Sequence, residues 1–101
     1  MENVTAEQVK ELQSQGKKVL VDYWAQWCGP CKTLIPRLES IENEYPNIKF
    51  VKVDVDSEQQ HAMSIGIRGV PTVIIYDGEK LVDRTSGVQP NEHYKNILNN
   101  L

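Results

Sequence analysis

Cysteine is scarce in this chain: among 101 residues only Cys28 and Cys31 carry a thiol. Histidine is equally scarce, with only His61 and His93. Zinc takes four ligands, and these two histidines stand too far apart for a Cys₂His₂ finger. Haem attachment fails as well, because Lys32 follows Cys31 where that motif requires histidine. No long basic run exists, and 11 Lys and Arg against 14 Asp and Glu leave a net charge of -3. That balance argues against nucleic acid as a partner. No apolar stretch is long enough to cross a bilayer, so no membrane role is expected. MENVTAEQVKELQSQGKK does not read as a signal peptide, which makes a cytoplasmic location the expectation. A glycine-rich dinucleotide loop is missing too, so the chain has no nicotinamide site of its own. Linkers, repeats and low-complexity segments are absent, and residues 1–101 are expected to form a single domain.

What remains is ordinary in bulk, with 40% hydrophobic and 25% charged residues. That composition suits a water-soluble fold with an apolar core. Thr5-Ala6-Glu7-Gln8 has the form of a capping box, which predicts a helix over Thr5–Ser14 stopped by Gly16. KVLVDYWA, Lys18–Ala25, is nearly continuous in apolar residues and predicts a strand covered on both faces. From Pro30, Leu34, Leu38, Ile41 and Tyr45 recur at helical steps. Pro36 lies inside that helix and should kink it. IKFVKVDV, Ile48–Val55, predicts a second buried strand. Asp56 or Ser57 then caps a short helix that runs through Ile65 to Gly66. TVIIY, residues 72–76, is a β-branched strand, and Asp77-Gly78 turns it into Lys80–Ser86. A last helix begins near Pro90 with Tyr94, Ile97, Leu98 and Leu101 on its apolar face. The expected class is α/β: a central mixed sheet with helices on both faces. Strands joined by helices should run parallel, and the last two should pair as an antiparallel hairpin.

The cysteines therefore fall at a strand-to-helix junction, within YWAQWCGPCK. Two cysteines held close in a reducing compartment are more often catalytic or metal-binding than a static staple. A buried structural thiol pair is the plain alternative. The neighbouring residues suit exchange better. Cys28 stands at a helix head, where free N–H groups and the dipole favour a thiolate. Gly29 permits a tight turn, and Pro30 occupies the first turn without losing a helical bond. Cys31, one turn further in, is partly shielded by its helix. Attack by Cys28 on a substrate disulfide, followed by resolution by Cys31, is the chemistry this division allows.

Asp22 interrupts the first strand, and burying its charge there would be expensive. Either the strand is an edge with the carboxylate in water, or Asp22 is a buried acid of raised pKa. The second reading makes it the acceptor of the Cys31 proton. Lys52 either pairs with Asp22 or lies at the solvent face.

VLVDYWAQWCGPCK, Pro36, GIRGVPT (residues 66–72), DGEKL and Gly87 together resemble the thioredoxin family, nearly end to end. The resemblance implies the thioredoxin fold, with Cys28 as exposed nucleophile and Cys31 as resolving thiol. It implies that Asp22 is the buried acid, that Lys52 lies near it and modulates it, and that Pro71 is a cis-proline beside the disulfide. Val70 would offer its backbone to a substrate peptide. Trp27 would sit at the surface against partners, while Trp24 packs below the site and orients it. Val55, Gly69, Val70 and Gly87 would line a flat apolar client surface. No cofactor is expected to be bound. The reversible Cys28–Cys31 disulfide would be re-reduced to the dithiol by a thioredoxin reductase, which draws on NADPH. Partners would be that reductase and disulfide-containing clients, among them reductases and peroxiredoxins, met by a monomer.

Some positions depart from the family pattern. Tyr23 replaces a more usual phenylalanine and adds a hydroxyl that needs a partner. Ser86 is more polar than expected, and Ile65 replaces a common tyrosine. His61 reads as a solvated surface residue. Two other functions stay open: an oxidase or isomerase built on the same fold, and a non-catalytic subunit that lends its flat face to another enzyme. Gly-Pro between the cysteines favours the reducing form over the first.

Overall fold

Thr5 Oγ1 accepts the amide of Gln8 at 3.2 Å, and Gln8 Oε1 accepts the amide of Thr5 at 2.8 Å. The reciprocal cap thus starts the first helix where the sequence places it. The computed structural model describes residues 1–101, as β1 (Glu2–Asn3), α1 (Ala6–Ser14), β2 (Lys18–Trp24), α2 (Gly29–Glu42), β3 (Ile48–Asp54), α3 (Gln59–Ser64), β4 (Thr72–Asp77), β5 (Lys80–Ser86) and α4 (Asn91–Leu98). The strands form one mixed sheet in the order β1-β3-β2-β4-β5.

Alternation along β2 sends its side chains to two different cores. Val19, Val21 and Tyr23 join Val9 of α1, Val51 and Val53 of β3, and Ile74 and Tyr76 of β4. Leu20 points the other way and packs with Leu34, Leu38 and Ile41 of α2, Phe50 of β3, and Tyr94 and Leu98 of α4. Leu34 and Leu38 are fully buried, and each contributes about 2 kcal/mol through the apolar area it removes from water. Pro36 sits mid-helix on the exposed side of α2 without ending it. Covered faces explain why β2 reads as a continuous apolar run rather than an alternating one.

Four expectations need correction. β1 was not anticipated; it pairs parallel with β3 through Glu2↔Val51 and Asn3↔Lys52, and two residues are too few to show a period. β4 runs antiparallel to β2, not parallel as its helical connection suggested. The six residues of α3 span about 9 Å, whereas returning along a strand as long as β3 requires about 23 Å. The remainder of the 55–71 connection does not make up that distance but crosses the end of the sheet, and the chain enters β4 from the same end. Neither Asp56 nor Ser57 caps α3: its N-cap is Glu58, with no side-chain bond to the helix. Asp54 Oδ1 instead accepts the Asp56 amide at 2.9 Å, and this turn delays the helix. Pro90, finally, is the N-cap of α4 rather than a residue of its first turn.

Candidate active site

Cys28 and Cys31 are joined in a disulfide with Cα atoms 5.3 Å apart, within the usual span for such a bond. Cys28 is the N-cap of α2, and its sulfur accepts the amide of Cys31 at 3.2 Å. The sulfur thus takes the place a serine or aspartate oxygen holds in other helices. A donor and the positive end of the helix both face it, and both favour a thiolate there. Gly29 and Pro30 are the first two helical residues and lie exposed.

The disulfide is less open than expected of an exposed nucleophile. Cys28 retains 4% of its surface and Cys31 none. The cover comes from Val70, whose carbonyl oxygen lies 3.6 Å from the Cys28 sulfur. Trp24, Val55 and Val70 pack against the small cluster of Ala25, Cys28 and Cys31. Val70-Pro71 is a cis peptide bond, as the resemblance implied. Thr72 Oγ1 donates to the Gly69 carbonyl at 2.7 Å, and the Gly87 amide donates to the Pro71 carbonyl at 2.9 Å.

Asp22 is fully buried in β2, and neither carboxylate oxygen has a hydrogen-bond partner. Burial raises its pKa from the ordinary 3.8 to about 7, with the charge of Lys52 opposing the shift. β2 lies between β3 and β4, so the edge reading of Asp22 is excluded. Lys52 is directly opposite Asp22 in register, yet the chain's ion pairs do not include these two. Its ammonium sits 4.7 Å from the centre of the Trp24 ring instead. There it is held by the aromatic face and acts on Asp22 only through its field. Trp24 is fixed at its far side by donation from Nε1 to Asn3 Oδ1 at 3.0 Å.

Trp27 stands out from the surface at 71% exposure, and its Nε1 donates to Asp56 Oδ2 at 2.8 Å. Beside it a cleft of about 130 Å³ is lined by Val55, Ala62, Ile67, Arg68, Gly69 and Val70. Gly87 does not line this cleft and is tied to it only through its bond to the Pro71 carbonyl. Its φ of +81° accounts for glycine more directly than any need for close approach, because a side chain there is strained even in open space.

Sequence reasoning missed Asp56 and Asn3, which orient the two tryptophans, and Ile67 and Arg68, which extend the cleft. The signals that could have found them were the Asp56 position, just past the end of β3, and the GIRGVPT stretch, which contains Ile67 and Arg68. His61 is also corrected. It is half-buried rather than solvated, with Nε2 2.9 Å from the Tyr23 hydroxyl, which thereby finds the partner it needs.

Comparison with known proteins agrees with this geometry. The thioredoxin family model matches residues 1–100. This chain belongs to the thioredoxin family. It is 40% identical over 91 residues to the thioredoxin of Mycoplasmoides gallisepticum, covering 90% of this chain and 91% of that one. To the thioredoxin of Bacillus subtilis it is 38% identical over 82 residues, covering 80% and 79%. Among solved structures, Fasciola hepatica thioredoxin superposes with a TM-score of 0.87 at 33% identity, covering 98% of each chain. Chloroplastic thioredoxin z superposes with a TM-score of 0.88 at 31% identity, covering 99% of this chain and 92% of that one. The thioredoxin fold and a WCGPC-type redox centre are thereby assigned, and general dithiol–disulfide oxidoreductase activity comes with the family.

Proposed function

We propose that this thioredoxin is a general reductant of protein disulfides, with Cys28 as nucleophile and Cys31 as resolving thiol. The reading rests on one observation above the others: the Cys28 sulfur caps α2 and accepts the Cys31 amide. In the reduced protein that position favours the Cys28 thiolate. The thiolate attacks one sulfur of a client disulfide; that S–S bond breaks, a mixed disulfide forms, and the other client sulfur leaves as thiolate. Cys31 then gives its proton to the Asp22 carboxylate and attacks the Cys28 sulfur. The intramolecular disulfide forms, the second client thiol leaves, and two electrons have passed to the client.

Asp22 suits the proton transfer because its pKa, about 7, lies near working pH. Lys52 modulates it at a distance and Trp24 holds Lys52 in place. Gly29, Pro30 and Pro71 shape the backbone around the two sulfurs. A client lies across Trp27, Val55, Gly69 and Val70, with Gly87 at its edge, and bonds to the Val70 backbone as a short extra strand. Thioredoxin reductase, using NADPH, restores the dithiol of a monomer working in the cytoplasm.

Redox titration of the Cys28–Cys31 pair in a buffer of defined potential tests this reading. A two-electron transition below about -250 mV is expected of a reductase, and one above about -200 mV would move an oxidase or isomerase ahead. Failure to form the intramolecular disulfide would sink both. A Cys28→Ser variant should lose turnover completely while still allowing any purely structural assembly.

A further inference from the structure

Segment 65–71, between α3 and β4, carries one wall of the client cleft. In its middle the amides of Arg68, Gly69 and Val70 donate to no protein acceptor. Thr72 Oγ1 holds the Gly69 carbonyl, Ile67 packs on the core and Val70 packs on the disulfide; the remaining restraint on the segment comes from its two ends. At the β4 end, Gly87, just past β5, donates to Pro71. At the α3 end the Ile67 amide reaches Ala62 O at 2.9 Å and the Gly66 amide reaches Met63 O at 3.1 Å, with Gly66 at φ +72°. These are the two bonds of a Schellman cap.

That cap leaves the carbonyls of Ile65 and Gly66 unused, and Arg84 of β5 takes both. Its Nη1 donates to Ile65 O at 2.5 Å and its Nη2 to Gly66 O at 2.6 Å. A planar guanidinium suits two adjacent carbonyls, and its charge complements the negative end of the helix. The fork matters here because α3 has little else to hold it. It is six residues long, lacks a side-chain N-cap bond and fully buries only Ala62. A helix of that length has no independent stability.

We infer that Arg84 is a positioning residue for client binding: its fork fixes the α3 end of segment 65–71 and so sets the wall formed by Ile67, Arg68, Gly69 and Val70. Together with Gly87 it lets one strand, β5, hold both ends of the segment. This rests on the reductase reading for its kinetic consequence but not for its structural one.

The test compares wild type with Arg84→Ala and Arg84→Lys, the latter keeping the charge but not the fork. With dithiothreitol as reductant, KM for insulin should rise about fivefold in both variants, the equivalent of one lost ordinary hydrogen bond. Stoichiometric reduction of 5,5′-dithiobis(2-nitrobenzoate), too small to span the cleft wall, by the pre-reduced protein freed of dithiothreitol should keep its wild-type rate. In the oxidised proteins, hydrogen exchange at the Ile67 amide should quicken about tenfold in both variants. Unchanged exchange, full rescue by lysine, or equal losses on insulin and the small disulfide would each overturn the assignment. A wild type that reduced neither substrate would refute the reductase reading, and the exchange measurement would still decide the role of Arg84.

Discussion

The phenolic oxygen of Tyr23 and Nε2 of His61 lie 2.9 Å apart, which ties the middle of the sheet to α3. Burial lowers the pKa of His61, with the charge of Lys10 adding to the shift and Glu58 opposing it. A depressed folded pKa means that the unfolded chain binds the proton more readily. The stability contributed by this group is therefore present above its ordinary value of 6.5 and is lost as pH falls through the lower folded value. Asp22 titrates in the opposite sense over the same range, so the contribution of His61 is read by difference. The wild-type urea midpoint, taken relative to that of His61→Gln, should fall between about pH 7.5 and pH 5. Equal slopes in the two proteins would rule out this contribution.

Much of the fold could be read in advance because its signals are local. Thr5 and Gln8 cap each other across three residues, and the CGPC turn sits between an apolar run and a helical period. Gly16 and Gly78 take the positive φ their turns need. What could not be read depends on distance in sequence. Tyr23 and His61 meet only because β2 and α3 pack together, so Tyr23 looked short of a partner and His61 looked like a solvated surface residue. Lys52 was expected either to pair with Asp22 or to face solvent, and it does neither of these: its ammonium lies over the Trp24 ring, two positions beyond Asp22. The direction of β4 is set by its pairing with β2, which the helix-joined pattern does not reveal.

Asp22 should destabilise the oxidised protein at alkaline pH. Its folded pKa of about 7 stands above the unfolded 3.8. The folded state therefore holds this proton more tightly, and the stability gained from that is full below 3.8 and lost as pH rises through 7. Asp22→Asn should be more stable than wild type near pH 9, by up to about 4 kcal/mol, and should gain little near pH 3. The same variant should slow resolution by Cys31. Urea denaturation at the two pH values checks the first effect, and decay of a trapped mixed disulfide checks the second.

Gly69 and Gly87 separate backbone strain from access. A Cβ on either would meet no atom within 4 Å, yet only Gly87 has a positive φ. Gly87→Ala should cost about 1 kcal/mol of unfolding free energy. Gly69→Ala should change it by less than about 0.5 kcal/mol. Its effect should appear as weaker client binding, because the added methyl projects into the cleft wall. If the two substitutions cost equal stability, φ is not what selects glycine at position 87.

Trp27 offers the clearest division between binding and folding. Its ring is largely exposed and is anchored through Asp56 rather than by packing. Trp27→Ala should leave the urea midpoint almost unchanged, since exposed positions contribute within about 0.5 kcal/mol. KM for a protein disulfide should nevertheless rise by about tenfold, the effect of removing an aromatic anchor from an interface. Asp56→Ala frees the ring without removing it and should raise KM by a smaller factor. A large loss of stability in Trp27→Ala would mean that the ring serves the fold. An unchanged KM in both variants would move the client surface away from this edge of the disulfide.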